Sequence, residues 1–456
     1  MTLCARSELA YRTDVWARRA IQVLSSYIVG QGIKPYPIIK MANGTIAKTP
    51  TDKLASDWER FNDQGMRNGS QQITMYQGQD LEFRTIAVYG NALSNVIAAK
   101  PGSWLRYAMQ IIKPTRLDFS KDNYFDGNSY QMQGKTKIVH GIEINDFGEA
   151  VNFWLMGYNK PFSADKMKIA YYPIETEAYM GLPWLTPSLG NIYDNQQIFE
   201  DKMKQSRIGS RLGYKINKKD QDAFEAAIDS VSANGENEYI DLDYQGFVST
   251  EGEITPIKLD DSLKESFLPL LRGNLIALGV GMGFSYQLLT TDLEGSNFAS
   301  SQTNALNDNR FFRTVFKWYT KTVLQRRYEQ FVEWEILQGK IPGVTYQNFL
   351  DDPWYYTQCY WLPIDGEQWV DPLKDAKATE LLYNLGQITY QEICATGGKD
   401  YKTVLKQLAK EQEEMKALGL DNLLPGNNKK GNNVDAQIQA AIDDNNQSNS
   451  NDNSGE

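Results

Sequence analysis

The sequence predicts an α+β chain, and two observations carry that reading. Runs of β character crowd into one stretch, residues 90–173, while apolar residues recur at helical spacing through most of the rest. Within that stretch, turn signals at Pro101-Gly102, Asp126-Gly127 and Asp146-Phe147-Gly148 divide short runs of the kind that pair antiparallel. A third observation sets the organisation. Residues 261–338 read as a helix, a loop of small and polar residues, and a longer helix.

Taken in order, residues 6–29 open the chain as a helical region, with Trp16, Ala20, Val23 and Tyr27 on one face. Gly30 and Gly32 stop it, and Pro35 and Pro37 hold the chain extended beyond. A helix at 52–67 turns Leu54, Trp58 and Phe61 inward, and one at 75–89 does the same with Leu81, Ile86 and Val88. The sheet region follows, with runs at 93–99, 107–112, 136–140, 142–145, 151–155 and 167–172. His140 reads as a solvent-facing strand residue beside a turn. Glu143, Asp146 and Glu149 read as acidic hairpin tips, with a carboxylate cluster as the alternative.

Residues 181–187, Gly-Leu-Pro-Trp-Leu-Thr-Pro, form a rigid connection, and Ser188 is placed to cap the next helix. That helix, 189–212, is mostly polar, with Ile192, Phe199 and Met203 as its main apolar positions. Its second half carries Lys202, Lys204, Arg207 and Arg211, which suits the negative end of the helix dipole. So polar a helix is better explained as a wall packed against copies of itself than as core. Residues 213–258 read as a small mixed unit, with strands at 214–216, 239–243 and 254–258 and a helix at 220–232. It is too small to fold alone.

In 261–338, Phe267, Leu271, Leu275 and Leu278 mark the first helix face, and Phe312, Phe316, Tyr319 and Val323 the second. Gly279, Gly281 and Gly283 weaken the first helix near its end, at roughly 1 kcal/mol each against Ala. Two readings stand here: a loop that moves on a glycine hinge, or an ordinary helix–loop–helix in a core. An aromatic-rich stretch follows at 345–374, then helices at 372–384, 389–396 and 401–418. From residue 426 the chain is Asn, Asp, Ser, Gln and Gly, the composition of a disordered tail.

Composition bounds the function. The 456 residues are 41% hydrophobic and 23% charged, which excludes disorder of the whole chain and leaves room for two or more domains. A net charge of −10 opposes tight, non-specific gripping of nucleic acid, which draws its affinity from Lys and Arg. The 3 cysteines, Cys4, Cys359 and Cys394, share no metal spacing and fit reduced thiols. The single histidine, His140, leaves little room for His-based catalysis or metal binding, and no cofactor is expected. There is no P-loop, zinc-hydrolase or nucleophile-elbow motif. No apolar run of about 18 residues and no signal segment is present, so a soluble chain without a membrane partner is expected.

Three motifs, in order and spacing, resemble the lambda-like family of tailed-bacteriophage portal proteins. The first is Arg18-Arg-Ala-Ile with 27–34, Tyr-Ile-Val-Gly-Gln-Gly-Ile-Lys. The second is 181–187 leading into a helix. The third is 369–378, Trp-Val-Asp-Pro-Leu-Lys-Asp-Ala-Lys-Ala, followed by 385–389, 398–401 and 407–411. Residues 297–301, Asn-Phe-Ala-Ser-Ser, match the family's Asn-aromatic-Ser run. Fewer residues precede the first motif than the family leads one to expect. Asp375 and Lys377 vary the acidic-basic run, and the Asn-rich tail falls outside the pattern.

The resemblance implies a non-enzymatic portal fold, assembled as a homododecameric ring at one capsid vertex. It implies a wing at 1–187, a first stem helix at 188–212, a clip at 213–260 and a second stem helix at 261–281. A tunnel loop at 282–300 and the remaining wing and crown at 301–425 complete the assignment, with the tail at 426–456. The implied partners are viral double-stranded DNA held weakly, the terminase packaging motor, the head-completion connector, and the major capsid protein with its scaffold. The implied location is the virion, and the host cytoplasm during assembly. On this reading Gly279, Gly281 and Gly283 become the hinge. Thr290, Thr291, Asp292, Leu293 and Glu294 become the part of the loop facing DNA, and Lys202, Lys204, Arg207 and Arg211 give transient phosphate contacts. Twelve copies at −10 each carry about −120, which lets DNA slide. Two other classes stay open: a different head–tail or baseplate structural protein, and a hydrolase with two carboxylates about 5–9.5 Å apart.

Overall fold

The computed structural model describes residues 2–40, 47–68, 73–99, 105–123, 137–176, 178–211, 214–217, 253–256, 262–292, 298–363 and 372–417. The expected helix at 220–232, the strand at 239–243, the 369–371 part of the third motif and the tail lie outside them. The chain divides into two compact units, residues 1–29 with 58–330, and residues 30–57 with 331–456.

The first unit begins with α1 (Thr2–Thr13) and α2 (Val15–Ile28). Asp14 separates them, because its carboxylate accepts the Ala17 N–H at 2.7 Å and starts a new helix. The buried face of α2 runs through Ala17, Ala20, Ile21, Leu24 and Ile28, while Tyr27 is exposed and stacks on Phe312 at 4.7 Å. Ala20 and Val23 of the expected face are buried, whereas Trp16 is half-buried and Tyr27 faces out. Aromatic bulk at helical spacing misled the reading, since a stacked exposed ring fits the same period.

A helix at Met75–Tyr89 (the later α4) matches the expected 75–89, and a Thr74/Gln77 capping box fixes its start. Two antiparallel sheets follow. One has order β3-β2-β8, from β2 (Asn91–Ala98), β3 (Tyr107–Ile112) and β8 (Met167–Tyr171). The other is a meander of β4 (Lys137–Val139), β5 (Ile142–Ile144), β6 (Ala150–Phe153) and β7 (Phe162–Ser163). Leu93, Ile112, Leu117, Ile142, Ile144, Phe153, Leu155 and Met167 form one shared core between them. Pairing of Leu93 with both Ile112 and Ile169 puts alternate side chains of β2 toward that core.

His140 is not a strand residue. His140 and Gly141, at φ 54° and 74°, form the two-residue turn between β4 and β5, where a type I′ hairpin needs positive φ twice. The acidic side chains nearby are held singly: Glu143 accepts from Asn152 at 3.0 Å and Glu149 from Asn145 at 2.8 Å.

The helical remainder of this unit contains α5 (Leu189–Arg211), the paired strands β9 (Tyr214–Asn217) and β10 (Glu253–Pro256), and α6 (Ser262–Met282). Next come α7 (Tyr286–Thr290) and a long helix that starts as α8 (Phe298–Trp318). That helix passes through one π-helical turn, Tyr319–Leu324, and continues as α9 (Gln325–Leu337), whose last residues belong to the second unit. The loop read at 282–300 thus contains a short helix. Five residues are too few for a hydrophobic period to show.

In the second unit, β1 (Ile33–Pro37) pairs antiparallel with β11 (Cys359–Pro363). Tyr36 stacks on Tyr360 at 5.0 Å, and Pro35 and Pro37 sit in this two-stranded ribbon, where a missing N–H is tolerated at an edge. The helix α3 (Lys48–Gln64) begins in this unit and ends in the first, with Leu54, Trp58 and Phe61 buried as expected. Helices α10 (Tyr346–Asp351), α11 (Pro353–Thr357), α12 (Pro372–Asn384), α13 (Tyr390–Thr396) and α14 (Tyr401–Ala417) complete it.

Candidate functional site

The candidate site is the antiparallel pair α5/α6 with the segment that follows it. Both helices are long: 23 and 21 residues give about 35 and 32 Å at 1.5 Å per residue. Their direction follows from the contacts. Ser188 meets α6 near its C-terminal end, where its hydroxyl donates to the Leu278 carbonyl at 3.3 Å. Eleven residues further on, Phe199 packs edge-on against Phe267 at 5.8 Å, nearer the start of α6. Ser188 therefore uses its hydroxyl to join two helices rather than to cap one.

The three expected hinge glycines are sites of close packing. Gly279 and Gly281 lie inside α6, where a Cβ would come within 2.9 Å of the Phe284 carbonyl oxygen and 2.3 Å of the Ser188 hydroxyl, respectively. Gly283 ends the helix at φ 90°, and a Cβ there would meet the Phe311 ring at 2.6 Å. Together they let the end of α6 press against the 186–188 turn, the 284–285 backbone and the long helix. Pro269 also lies inside α6 and removes one backbone donor, leaving the carbonyl of Glu265 without its intrahelical partner.

Beyond Gly283 the chain is pinned. Asp308 accepts both the Ser285 N–H at 2.9 Å and the Ser285 hydroxyl at 2.6 Å, while Ser285 caps α7. Leu289 is buried, and its carbonyl accepts from Arg19 at 3.4 Å. Thr291 takes the left-handed conformation, φ 59°, and closes the short helix. Thr290 accepts the Asp292 N–H at 3.2 Å, and the Tyr286 hydroxyl donates to Asp292 at 2.8 Å. Thr290, Thr291 and Asp292 are thus brought together at the end of a closed segment. Leu293 and Glu294 lie outside the described residues.

The basic residues on α5 are not equivalent. Lys202 lies over the Phe267 ring at 5.7 Å, a cation–π contact that ties it to α6. Lys204 sits 3.3 Å from Asp201 and 4.0 Å from Glu200, so its charge is offset on its own helix. Arg207 is exposed, and the side chain of Arg211 lies outside the described residues. The same two helices expose Tyr193, Phe199, Met203, Leu268, Leu270, Ile276 and Val280.

A buried ionic group went unseen in the sequence. Arg327 donates to Glu82, both essentially fully buried, and the Tyr319 hydroxyl lies 2.9 Å from Glu82 and 3.0 Å from the Gln79 carbonyl. Burial pushes the Glu82 carboxyl above the usual carboxylate range, against the pull of Arg327, and pushes the Tyr319 phenol well up as well. The π turn explains how one helix supplies both partners. Eight residues at about 100° each would leave Tyr319 and Arg327 about 80° apart, but one inserted residue brings them within about 20°. Arg326-Arg327 was visible in the sequence, but the partner lies 245 residues away.

Trp184, from the second motif, packs at 5.6 Å from Phe83, 5.7 Å from Tyr172 and 6.4 Å from Phe311. It thereby fixes the approach to α5 against the long helix. Among the described residues no group of three or more His, Cys, Asp or Glu side chains could hold a metal ion, and no helix is long and apolar enough to cross a membrane.

Comparison with known proteins gives four results. A family model described as phage portal protein, lambda family, matches residues 1–315. A probable portal protein of Halomonas phage phiHAP-1 is 21% identical over 436 residues, 89% of this chain and 79% of that protein. Portal protein B of Escherichia phage lambda is 23% identical over 145 residues, 31% of this chain and 27% of its own length. Among solved structures, a chain from the virion of a native gene transfer agent particle gives a TM-score of 0.45 at 11% identity, covering 88% of this chain and 94% of that one.

Proposed function

We propose, for a chain that belongs to the lambda family of phage portal proteins, that it closes into a homododecameric ring at the capsid vertex, through which DNA enters and leaves the head. As a member of that family it is a structural component of the phage head. The ring, its copy number and the passage of DNA are the proposal.

One observation carries the ring: the apolar side chains left exposed along α5 and α6. Among the described residues seven large ones, from Tyr193 to Val280, remain uncovered in the single chain. Exposed apolar side chains along a long helix pair mark a surface for association, and a ring packs each copy against its neighbours in the same way. The two helices then act as the stem, and the segment from Phe284 to Ser300 as the loop nearest DNA. Gly279, Gly281 and Gly283 set where that loop leaves the stem. The hinge role of Gly279, Gly281 and Gly283 belongs to this proposal.

A net charge of −10 per copy suits a conduit that must not hold DNA tightly. Lys202 and Arg207 give brief phosphate contacts, while Lys204 keeps its charge within α5. Residues 213–260 form the clip facing the terminase motor and later the connector. The capsid protein and scaffold meet the wing. Assembly takes place in the host cytoplasm, before the virion is complete.

Mass measurement with negative-stain microscopy tests the reading. Purified protein, alone or with scaffold, is expected to give rings of about twelve subunits. A chain that stays monomeric in both settings overturns it. Substituting Leu268, Ile276 and Val280 with Ser is expected to weaken ring formation while leaving the monomer's circular dichroism unchanged.

A further inference from the structure

A cavity of about 200 Å³ lies beside the π turn of the long helix, between that helix and strand β8. Among the described residues its polar lining is Lys168, Arg326, Arg327, Ser94, Thr322 and Gln330, with no carboxylate. Trp318 and Tyr171 form part of the apolar remainder. From this arrangement we propose that the cavity is a binding site for a small phosphate-class oxyanion, phosphate or sulfate.

The charge of the lining argues for it. Arg327 is 4% exposed, and its contact with Glu82 engages only Nη2, so the N–H groups on Nε and Nη1 are buried without a partner. Those two donors have no surface open to the cavity, so Arg327 contributes charge to the wall, and direct contact with an oxyanion falls to Lys168, Arg326 and the hydroxyls. Among the described residues, neither Lys168 nor Arg326 forms an ion pair, although both line the same cavity. Ser94 and Lys168 stand opposite each other on adjacent strands, so a hydroxyl and an ammonium are held together by the sheet register.

The balance of charge favours a dianion over a carboxylate. Three cations line the cavity, and Glu82, outside the lining, offsets one of them. The remaining two match a doubly charged anion. A carboxylate brings one charge and two oxygens, which a single guanidinium fork already satisfies. A tetrahedral oxyanion has enough acceptors for Arg326, the lysine and the hydroxyls. The π turn is what builds the site, because it sets Arg327 on Glu82 while Thr322 and Arg326 line the same cavity.

The test is a titration of the full chain with inorganic phosphate at constant ionic strength, followed by calorimetry and by thermal melting. A saturable rise in Tm is expected, with one site per chain. Arg327 supports the fold, so the variants are Lys168→Gln with Arg326→Gln, which touch only the lining. They are expected to weaken phosphate binding at least tenfold. Lys321→Gln, an exposed change on the same π turn outside the lining, is expected to leave it unchanged. The proposal is overturned by a shift that does not saturate, by equal binding in the double variant, or by acetate binding as tightly as phosphate.

Discussion

Glu82 shows what one residue can report. Its carboxyl is buried against Arg327 and Tyr319, and burial holds its pKa above the ordinary value of 4.5. The folded chain therefore binds this proton more tightly than the unfolded chain does. Its contribution is fully present below the ordinary value and is lost as pH climbs through the raised one. Urea midpoints measured across that window should fall with rising pH in the wild type, and the Glu82→Gln variant should lack this part of the fall. At neutral pH the same variant should cost about 1–3 kcal/mol, because Tyr319 and Arg327 lose a charged acceptor. An unchanged slope would mean the carboxylate stays ionised throughout.

Two glycines on one helix make an opposed pair at the same scale. Gly283 needs a positive φ and faces the Phe311 ring, whereas Gly273, inside α6, has nothing within 4 Å of the place a Cβ would occupy. Gly283→Ala should destabilise by roughly 1–3 kcal/mol through strain and overpacking. Gly273→Ala should stabilise by about 0.5–1 kcal/mol, since Ala loses less chain entropy in a helix. Denaturant midpoints with unchanged m-values would read both.

Among the elements, the α5/α6 pair and α7 divide the work. The helix pair is held by Ser188, Phe199 and Phe267, and α7 is held by Asp308 and a buried Leu289. Deleting residues 293–296 spares all of these contacts. Ring assembly is then expected to survive while DNA packaging or retention fails, measured by particle yield and by nuclease-protected DNA. If the shortened chain fails to fold, the segment belongs to the core and not to a DNA-facing loop. The extent of α5 was legible, 189–212 read against Leu189–Arg211, and α6, Ser262–Met282, contains the face from Phe267 to Leu278 that spacing showed. The short α7 was not, because five residues cannot show a helical period.

For the whole molecule, each unit draws together residues distant in sequence. Residues 30–57 join 331–456 through the pairing of Ile33–Pro37 with Cys359–Pro363, and the shared core of the two sheets draws Leu93 together with Met167. The exposed apolar side chains of α5 and α6 belong to this scale as well, since in the proposed ring a neighbouring copy covers them. On that proposal, the ring is the level at which the polar helix 189–212 makes energetic sense.

What the sequence determined by itself was local and periodic. Helix extents, the antiparallel character of 90–173, the inward set Leu54, Trp58 and Phe61, and the motifs that carry the family resemblance all follow from spacing along one segment. The tertiary structure alone decided which distant segments meet. It turned His140 into a hairpin turn, gave the Ser188 hydroxyl to Leu278, and set Glu82 between Tyr319 and Arg327. The physical reason is that periodicity reports which face of an element is buried, not what it is buried against. One inserted residue in the π turn rotates everything after it by about 100°, a change that hydrophobic spacing does not record.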